Sequence, residues 1–263
     1  MLFRSHVREV AALGHSRAVD FQDRDYGALY LARVTQLAAV ASADDPVTRH
    51  ALEEAARRLA LWMAYEDIPR VAELKTRPER FAGIRREAEM KPGQILVVAE
   101  YLKPGAEEIA AMLPVTMGTR LLARAQRGKR IPWLGRGMTI ATTSISGFAM
   151  MRILARFKSI RRRSLRYQEE QAAIERWLIA MERSLRRAPA FASALAEMPR
   201  VLKGYGDTHT RGRASYARIF DGVVEPALAE GNEAGTAATL RKAVAAALAD
   251  PEHVALSALL PAP

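Results

Sequence analysis

Ile174-Glu175-Arg176-Trp177-Leu178-Ile179-Ala180-Met181-Glu182-Arg183-Ser184-Leu185 places Ile174, Trp177, Leu178, Met181 and Leu185 at intervals of three and four residues. That spacing gathers them on one side of a helix and leaves Glu175, Arg176, Glu182 and Arg183 for the other. The same face reaches back through Met150, Ile153, Leu154, Phe157 and Ile160. One long basic helix is therefore expected from Phe148 to Arg187, with Ser146 or Gly147 capping it. Unbroken, it would extend about 60 Å at the α-helical rise. Its middle, Ser159 to Glu170, lacks a dense apolar stripe, and a break there is the alternative. Between 148 and 187, eleven Arg and Lys stand against four Glu, so this segment carries most of the excess charge of the chain.

The helical period recurs on both sides of this segment. Tyr26, Leu29, Tyr30, Val34, Leu37 and Val40 form one face, and Ala43-Asp44-Asp45-Pro46 reads as a stop followed by a new start. Leu52, Ala55, Leu59, Trp62 and Met63 form the next, with Glu53, Glu54, Arg57 and Arg58 opposite. Pro69 predicts a kink or restart and Pro78 another start. Ala106 to Ala125 reads as one helix, or as two divided at Pro114. Tyr216, Ile219, Phe220, Val223 and Val224 share a face that Pro226 limits, and an alanine-rich helix runs from Glu233 to Ala249. After the turn Lys91-Pro92-Gly93, Ile95-Leu96-Val97-Val98 is short and β-branched, and Met138 to Ile145 is a second strand candidate able to pair with it. The expected fold is mainly α: a single multi-helix domain over 1–263 with one long basic helix and a small two-stranded β element. Residues 1–25 and 231–263 are expected to be peripheral.

A chain of 263 residues with 49% apolar composition can bury a sizeable core. Forty Lys and Arg against 29 Asp and Glu give a net charge of +11, which favours an anionic partner. The absence of cysteine removes disulfides, thiolate metal sites and cysteine-ligated clusters. Met1 to Val10 has no apolar segment of the secretory kind, and the longest uncharged run, Gly137 to Met151, is too short to span a bilayer. A soluble, cytoplasmic protein without a membrane span is expected. His6, His15, His50, His209 and His253 form no pair at ligand spacing, so no metal site is expected, and no Gly-x-Ser-x-Gly elbow is present. The cluster Arg161-Arg162-Arg163 could meet phosphates, but zinc-finger, RNP-like and zipper patterns are missing, which disfavours nucleic acid. A solvated basic face or a subunit contact is the plainer expectation.

Lys203-Gly204-Tyr205-Gly206-Asp207-Thr208-His209-Thr210-Arg211-Gly212-Arg213 combines turn formers with cations. Glycines permit close backbone approach, Asp207 and Thr208 are good N-caps, and Lys203, Arg211 and Arg213 supply charge. Lys203, Gly204, Tyr205, Gly206, Thr208, His209, Arg211 and Arg213 are thus candidates for binding an anion or a phosphorylated ligand such as coenzyme A. An ordinary basic turn has the same composition, and the glycine spacing matches neither the Walker A nor the dinucleotide pattern. Tyr65-Glu66-Asp67 sets two carboxylates side by side before Pro69. Neighbouring helical positions diverge by about 100°, which points away from an acid/base pair and towards a salt bridge from Glu66 to Arg70.

Three stretches, taken in order, carry a family resemblance: Leu61-Trp62-Met63-Ala64-Tyr65-Glu66-Asp67 with Arg70-Val71-Ala72-Glu73-Leu74-Lys75-Thr76-Arg77; Glu100-Tyr101-Leu102-Lys103-Pro104; and Lys203 to Arg213. Together they resemble the carboxy-terminal helical region of the β subunit of indolepyruvate:ferredoxin oxidoreductase in its long bacterial form, over roughly Tyr26 to Val224. The resemblance implies a system that decarboxylates aryl pyruvates oxidatively and passes electrons to ferredoxin. Thiamine diphosphate and iron–sulfur clusters would sit on a partner α subunit and no cofactor in this chain. It also implies that the family's amino-terminal 2-oxoacid:acceptor oxidoreductase domain is absent here, so the partners are an α-like catalytic subunit, that missing domain, or both. Tyr65, Glu66, Asp67, Arg70 and Lys75 would then support the site, with Glu66 or Asp67 answering Lys203, Arg211 or Arg213. An uninterrupted helix through position 69 is a further implication.

Overall fold

Short polar side chains set where the helices begin. In the computed structural model, which describes residues 5–42, 44–128, 135, 137–202, 206–249 and 254–260, the Asp23 carboxylate accepts from the Tyr26 amide. Asp45 accepts from the amides of Val47 and Thr48, and Ser144 Oγ from that of Gly147. Each satisfies donors that a first helical turn leaves open. The Ser144 cap displaces the expected caps Ser146 and Gly147, which lie inside the helix.

Contacts group the chain into two compact units, Met1–Tyr65 with Ala172–Pro263, and Glu66–Gln171, where one domain over 1–263 is the expectation from sequence. The first unit opens with α1 (Ser5–Phe21), α2 (Arg24–Val40) and α3 (Pro46–Met63). The second holds α4 (Ile68–Lys75), α5 (Pro78–Glu87), β1 (Ala99–Leu102), α6 (Ala106–Met112), α7 (Val115–Gln126), β2 (Met138–Ala141) and α8 (Ile145–Arg156). A 3-10 segment, Phe157–Arg163, follows, and then α9 (Leu165–Arg187), within which the division falls. The first unit is completed by α10 (Pro189–Glu197), a 3-10 turn (Met198–Leu202), α11 (Asp207–Ile219), a π-turn (Phe220–Val224), α12 (Glu225–Glu230), α13 (Glu233–Ala249) and α14 (Val254–Leu259). The fold is mainly α with a small two-stranded antiparallel sheet, as expected.

In the first unit α1 packs on α2 and α3, and α10 on α3 and α13. Phe21, Tyr26, Tyr30, Leu59, Met63, Ile174, Trp177, Met181 and Phe191 are enclosed between them. Two buried phenols are satisfied: the Tyr26 hydroxyl donates to the Met63 carbonyl and the Tyr30 hydroxyl to that of Ala56, each at 3.0 Å. Burial pushes the Tyr30 hydroxyl well above its ordinary pKa. Phe21 and Leu240 are fully buried, so the end segments expected to be peripheral contribute core residues.

The second unit has a smaller core, in which Ala72, Ile140, Met151 and Ala155 meet with Leu102 and Leu154 packed against them. The sheet pairs Ala99 with Ala141 and Leu102 with Met138. The first strand therefore begins after Ile95–Val98 rather than within it, and the second ends at Ala141 rather than Ile145. Register follows the partner: the Thr142 amide donates to the Val98 carbonyl at 2.8 Å, and pairing runs from there towards Leu102. The expected long helix from Phe148 to Arg187 is broken. It stops at Arg156, passes through the 3-10 segment, and resumes at Leu165 after an extended Ser164. The Leu165 amide donates to the Leu113 carbonyl at 2.8 Å, tying the restart to the end of α6.

Candidate functional site

Asp67 begins α4, and the proline next to Ile68 fits the first turn, where its missing amide costs nothing. The uninterrupted helix implied through Pro69 is thus two helices, α3 and α4, with Tyr65 to Asp67 between them. Asp67 Oδ1 accepts from the Arg70 amide at 2.8 Å. The same carboxylate receives Arg161 Nε at 2.6 Å and Nη2 at 2.9 Å, a two-point clamp. The Arg161 side chain is 1% exposed. It does not belong to the solvated basic face expected for Arg161-Arg162-Arg163, because Asp67 draws it inward.

Further pairs continue the network within this unit. Arg166 Nη1 donates to the Glu66 carbonyl at 2.7 Å, while the Glu66 side chain points to solvent. Arg70 pairs with Glu73 at 3.0 Å instead of with Glu66, and Arg77 reaches the other Glu73 oxygen at 2.7 Å. Glu100 at the sheet bridges Lys75 and Arg80. Tyr65 belongs to the other unit, where its buried ring stands edge-on to Phe21 with centroids 5.1 Å apart.

Burial alone would raise the Glu73 carboxyl, but hydrogen bonds from Arg77 and Arg70, with the charges of Lys158 and Arg70, hold it below the ordinary range near 4.5. A depressed carboxyl adds stability above its unfolded value, and that stability is lost as pH falls through the folded value. Glu73→Gln is accordingly expected to flatten the acid limb of a stability–pH curve below about pH 4.5. Denaturant midpoints measured from pH 6 to pH 3 check it, and an acid limb identical to wild type would remove Glu73 from the network's energetics.

The glycine-rich motif divides differently. Lys203, Gly204 and Tyr205 lie outside the described residues. Gly206, not Asp207 or Thr208, is the N-cap of α11, with φ 57° and ψ −133°, a combination that side-chain-bearing residues rarely adopt. Since α11 starts at Asp207, Thr208 to Arg213 are helical. Arg211 and Arg213 then leave the axis about 200° apart, Arg211 half-buried and Arg213 exposed, and do not converge on one anion. Thr208 is exposed and His209 half-buried on the same turn. Glu66 and Asp67 belong to one unit and Arg211 and Arg213 to the other, and within its own unit Asp67 receives Arg161.

Gly212 has a packing role. A Cβ there would collide with the Val201 backbone carbonyl of the preceding 3-10 turn. Gly212→Ala is expected to lower Tm although alanine is the better helix former by about 1 kcal/mol, because overpacking against backbone costs about 1–3 kcal/mol. A thermal melt checks this; a raised Tm would mean that α11 moves off Val201 freely.

Chemically, the cluster around α4 is a set of mutually neutralising ion pairs. No histidine or hydroxyl nucleophile enters the pairs described, and among the described residues no group of three or more His, Asp or Glu could hold a metal ion. No helix among the described residues is long and apolar enough to cross a membrane. Sequence reasoning missed Arg161, Glu73 and Arg80 as partners. For Glu73 the i, i+3 and i, i+4 spacing to Arg70 and Arg77 was an available signal.

Residues 7–222 match the family of unknown function DUF6537. The chain belongs to that family. The DUF6537 match takes in α1 through most of the π-turn, and with it the α4 network and the whole glycine-rich motif. No curated protein and no solved structure matches the chain.

Proposed function

We propose that this chain is a helical accessory region of an indolepyruvate (2-oxoacid):ferredoxin oxidoreductase β-like subunit. It supports, by packing, the oxidative decarboxylation of aryl pyruvates that a partner α subunit carries out with its own thiamine diphosphate and iron–sulfur clusters. The supporting observation is that two of the three stretches carrying the resemblance meet in the fold: Glu100 of the second receives Lys75 of the first. Residues that mark the resemblance are thereby engaged in scaffold ion pairs, as an accessory role requires. Co-purification of the chain with a thiamine-containing α-like subunit tests it. Failure to associate, with both proteins folded, would overturn it.

A second function, binding of an anion or a coenzyme A-like ligand, has one observation in its favour. Gly206, the N-cap of α11, carries no side-chain acceptor of its own, and a helix N-terminus is a favourable place for an anion. Calorimetric titration with coenzyme A decides it: no heat at millimolar ligand leaves the segment structural.

A further inference from the structure

Between Glu108 and Glu169 the sequence contains no Asp or Glu, yet it carries thirteen Lys and Arg. Within that run, α8 turns Gly147, Met151 and Ala155 inward, packing on α4 and on β2. Among the described residues the opposite side is exposed. Ile145 is 93% and Ile153 61% exposed, and Phe148, Met150, Phe157 and Ile160 are exposed as well. Helical geometry puts Ile145, Ala149, Arg152, Ile153 and Arg156 within an arc of about 100°. Arg152, Arg156 and Arg163 are exposed and form no ion pair with the described residues.

At the start of α8 this face meets a hollow of about 630 Å³ lined by Phe81, Leu96, Ile145 and Phe148, with Arg85 in its wall. Ile95 and Val97, on either side of Leu96, are 88% and 73% exposed. An apolar surface of this extent, set among cations, is costly to leave in water and marks a contact site.

We propose that the outer face of α8 and its hollow dock an acidic, apolar-bearing segment of a partner protein. Carboxylates of that segment would meet Arg152 and Arg156, and one aliphatic or aromatic side chain would fill the hollow. The composition fits: arginine, phenylalanine and methionine are enriched in protein interfaces, whereas lysine is depleted, and the guanidinium fork takes a carboxylate at two points. Nucleic acid phosphates would use the arginines but leave Ile145 and Ile153 wet. An anionic bilayer would take both the protruding apolar side chains and the arginines, so vesicles are the competing probe in the test below.

The proposal rests on the accessory role above only for the identity of the partner. Two probes separate the two ideas: a synthetic amphipathic peptide of Glu with Leu and Phe, and the thiamine-containing α-like subunit. Each is titrated by fluorescence anisotropy against the full chain and against Ile153→Glu, Arg152→Glu and Arg187→Glu, with circular dichroism confirming that each variant is folded. The exposed positions make unfolding an inadequate explanation of any loss. Ile153→Glu and Arg152→Glu are expected to weaken peptide binding at least about tenfold, as central interface residues do, while Arg187→Glu, on α9, leaves it unchanged. If the peptide binds and the subunit does not, the surface stands and the accessory role falls. If the subunit binds equally well to all variants, the accessory role stands without this face as its contact; if the peptide binds all variants equally well, the surface is wrong. No peptide binding, or preferential binding to phosphatidylglycerol vesicles or a short DNA duplex, overturns the acidic-protein assignment.

Discussion

Arg161→Ala is expected to destabilise the unit Glu66–Gln171 by about 3–5 kcal/mol, the range for breaking a buried pair from one side. Asp67 is only 11% exposed, and removing the guanidinium strips both oxygens of their strongest partner while leaving the charge in place. The Arg70 amide would be its one remaining donor among the bonds described. Asp67→Ala should cost a similar amount, because it removes the carboxylate that receives Arg161 and also the cap of α4, worth about 1 kcal/mol. The double variant Arg161→Met with Asp67→Asn should recover a large part of the loss: asparagine still caps the helix, and methionine fills the space without charge. Urea titration with amide exchange followed in α4 and α8 provides the measurement. A loss below about 1 kcal/mol for Arg161→Ala would place the pair with ordinary surface ion pairs and remove it as the pin of this unit.

That pin also marks where sequence reasoning stops. Period three-and-four spacing identifies the faces led by Tyr26, Leu59 and Trp177 because the apolar stripe is local information. Caps are local too, so Asp45-Pro46 announces α3 correctly. The break between α8 and α9 is different in kind. The missing apolar stripe in Ser159 to Glu170 signals a break, but not that Arg161 there meets an aspartate 94 residues earlier. The strand misplacement has the same origin: Ile95–Val98 has the stronger β composition, but Met138–Ala141 pairs with Ala99–Leu102, since pairing depends on which segment the rest of the fold brings alongside. In the candidate site, glycine and basic residues advertise an anion cradle. A helix that starts at Asp207 spreads Arg211 and Arg213 around its circumference and gives Gly212 to the contact with Val201.

Trp177→Ala should cost the first unit about 3–5 kcal/mol, as deletion of a fully buried large aromatic does. Trp177 is completely enclosed, and its indole Nε1–H donates to the Leu195 carbonyl at 2.9 Å. Its ring meets Trp62 edge-on at 6.0 Å, Trp62 meets Tyr216 in the same way at 5.2 Å, and Tyr216 stacks on Phe220 at 5.9 Å. Residues from α9, α3, α11 and the π-turn are thus joined through one aromatic chain, and a cavity at Trp177 removes a support from each. Trp177→Phe separates packing from hydrogen bonding. The Leu195 carbonyl also accepts from the Met198 amide, so losing the indole donor leaves it partnered, and the phenyl ring retains most of the volume. Phenylalanine should therefore cost about 1–2 kcal/mol, well short of alanine. Chemical denaturation followed by near-ultraviolet circular dichroism reports both variants. If phenylalanine costs as much as alanine, the hydrogen bond to Leu195, and not the aromatic chain, holds α9 to α10.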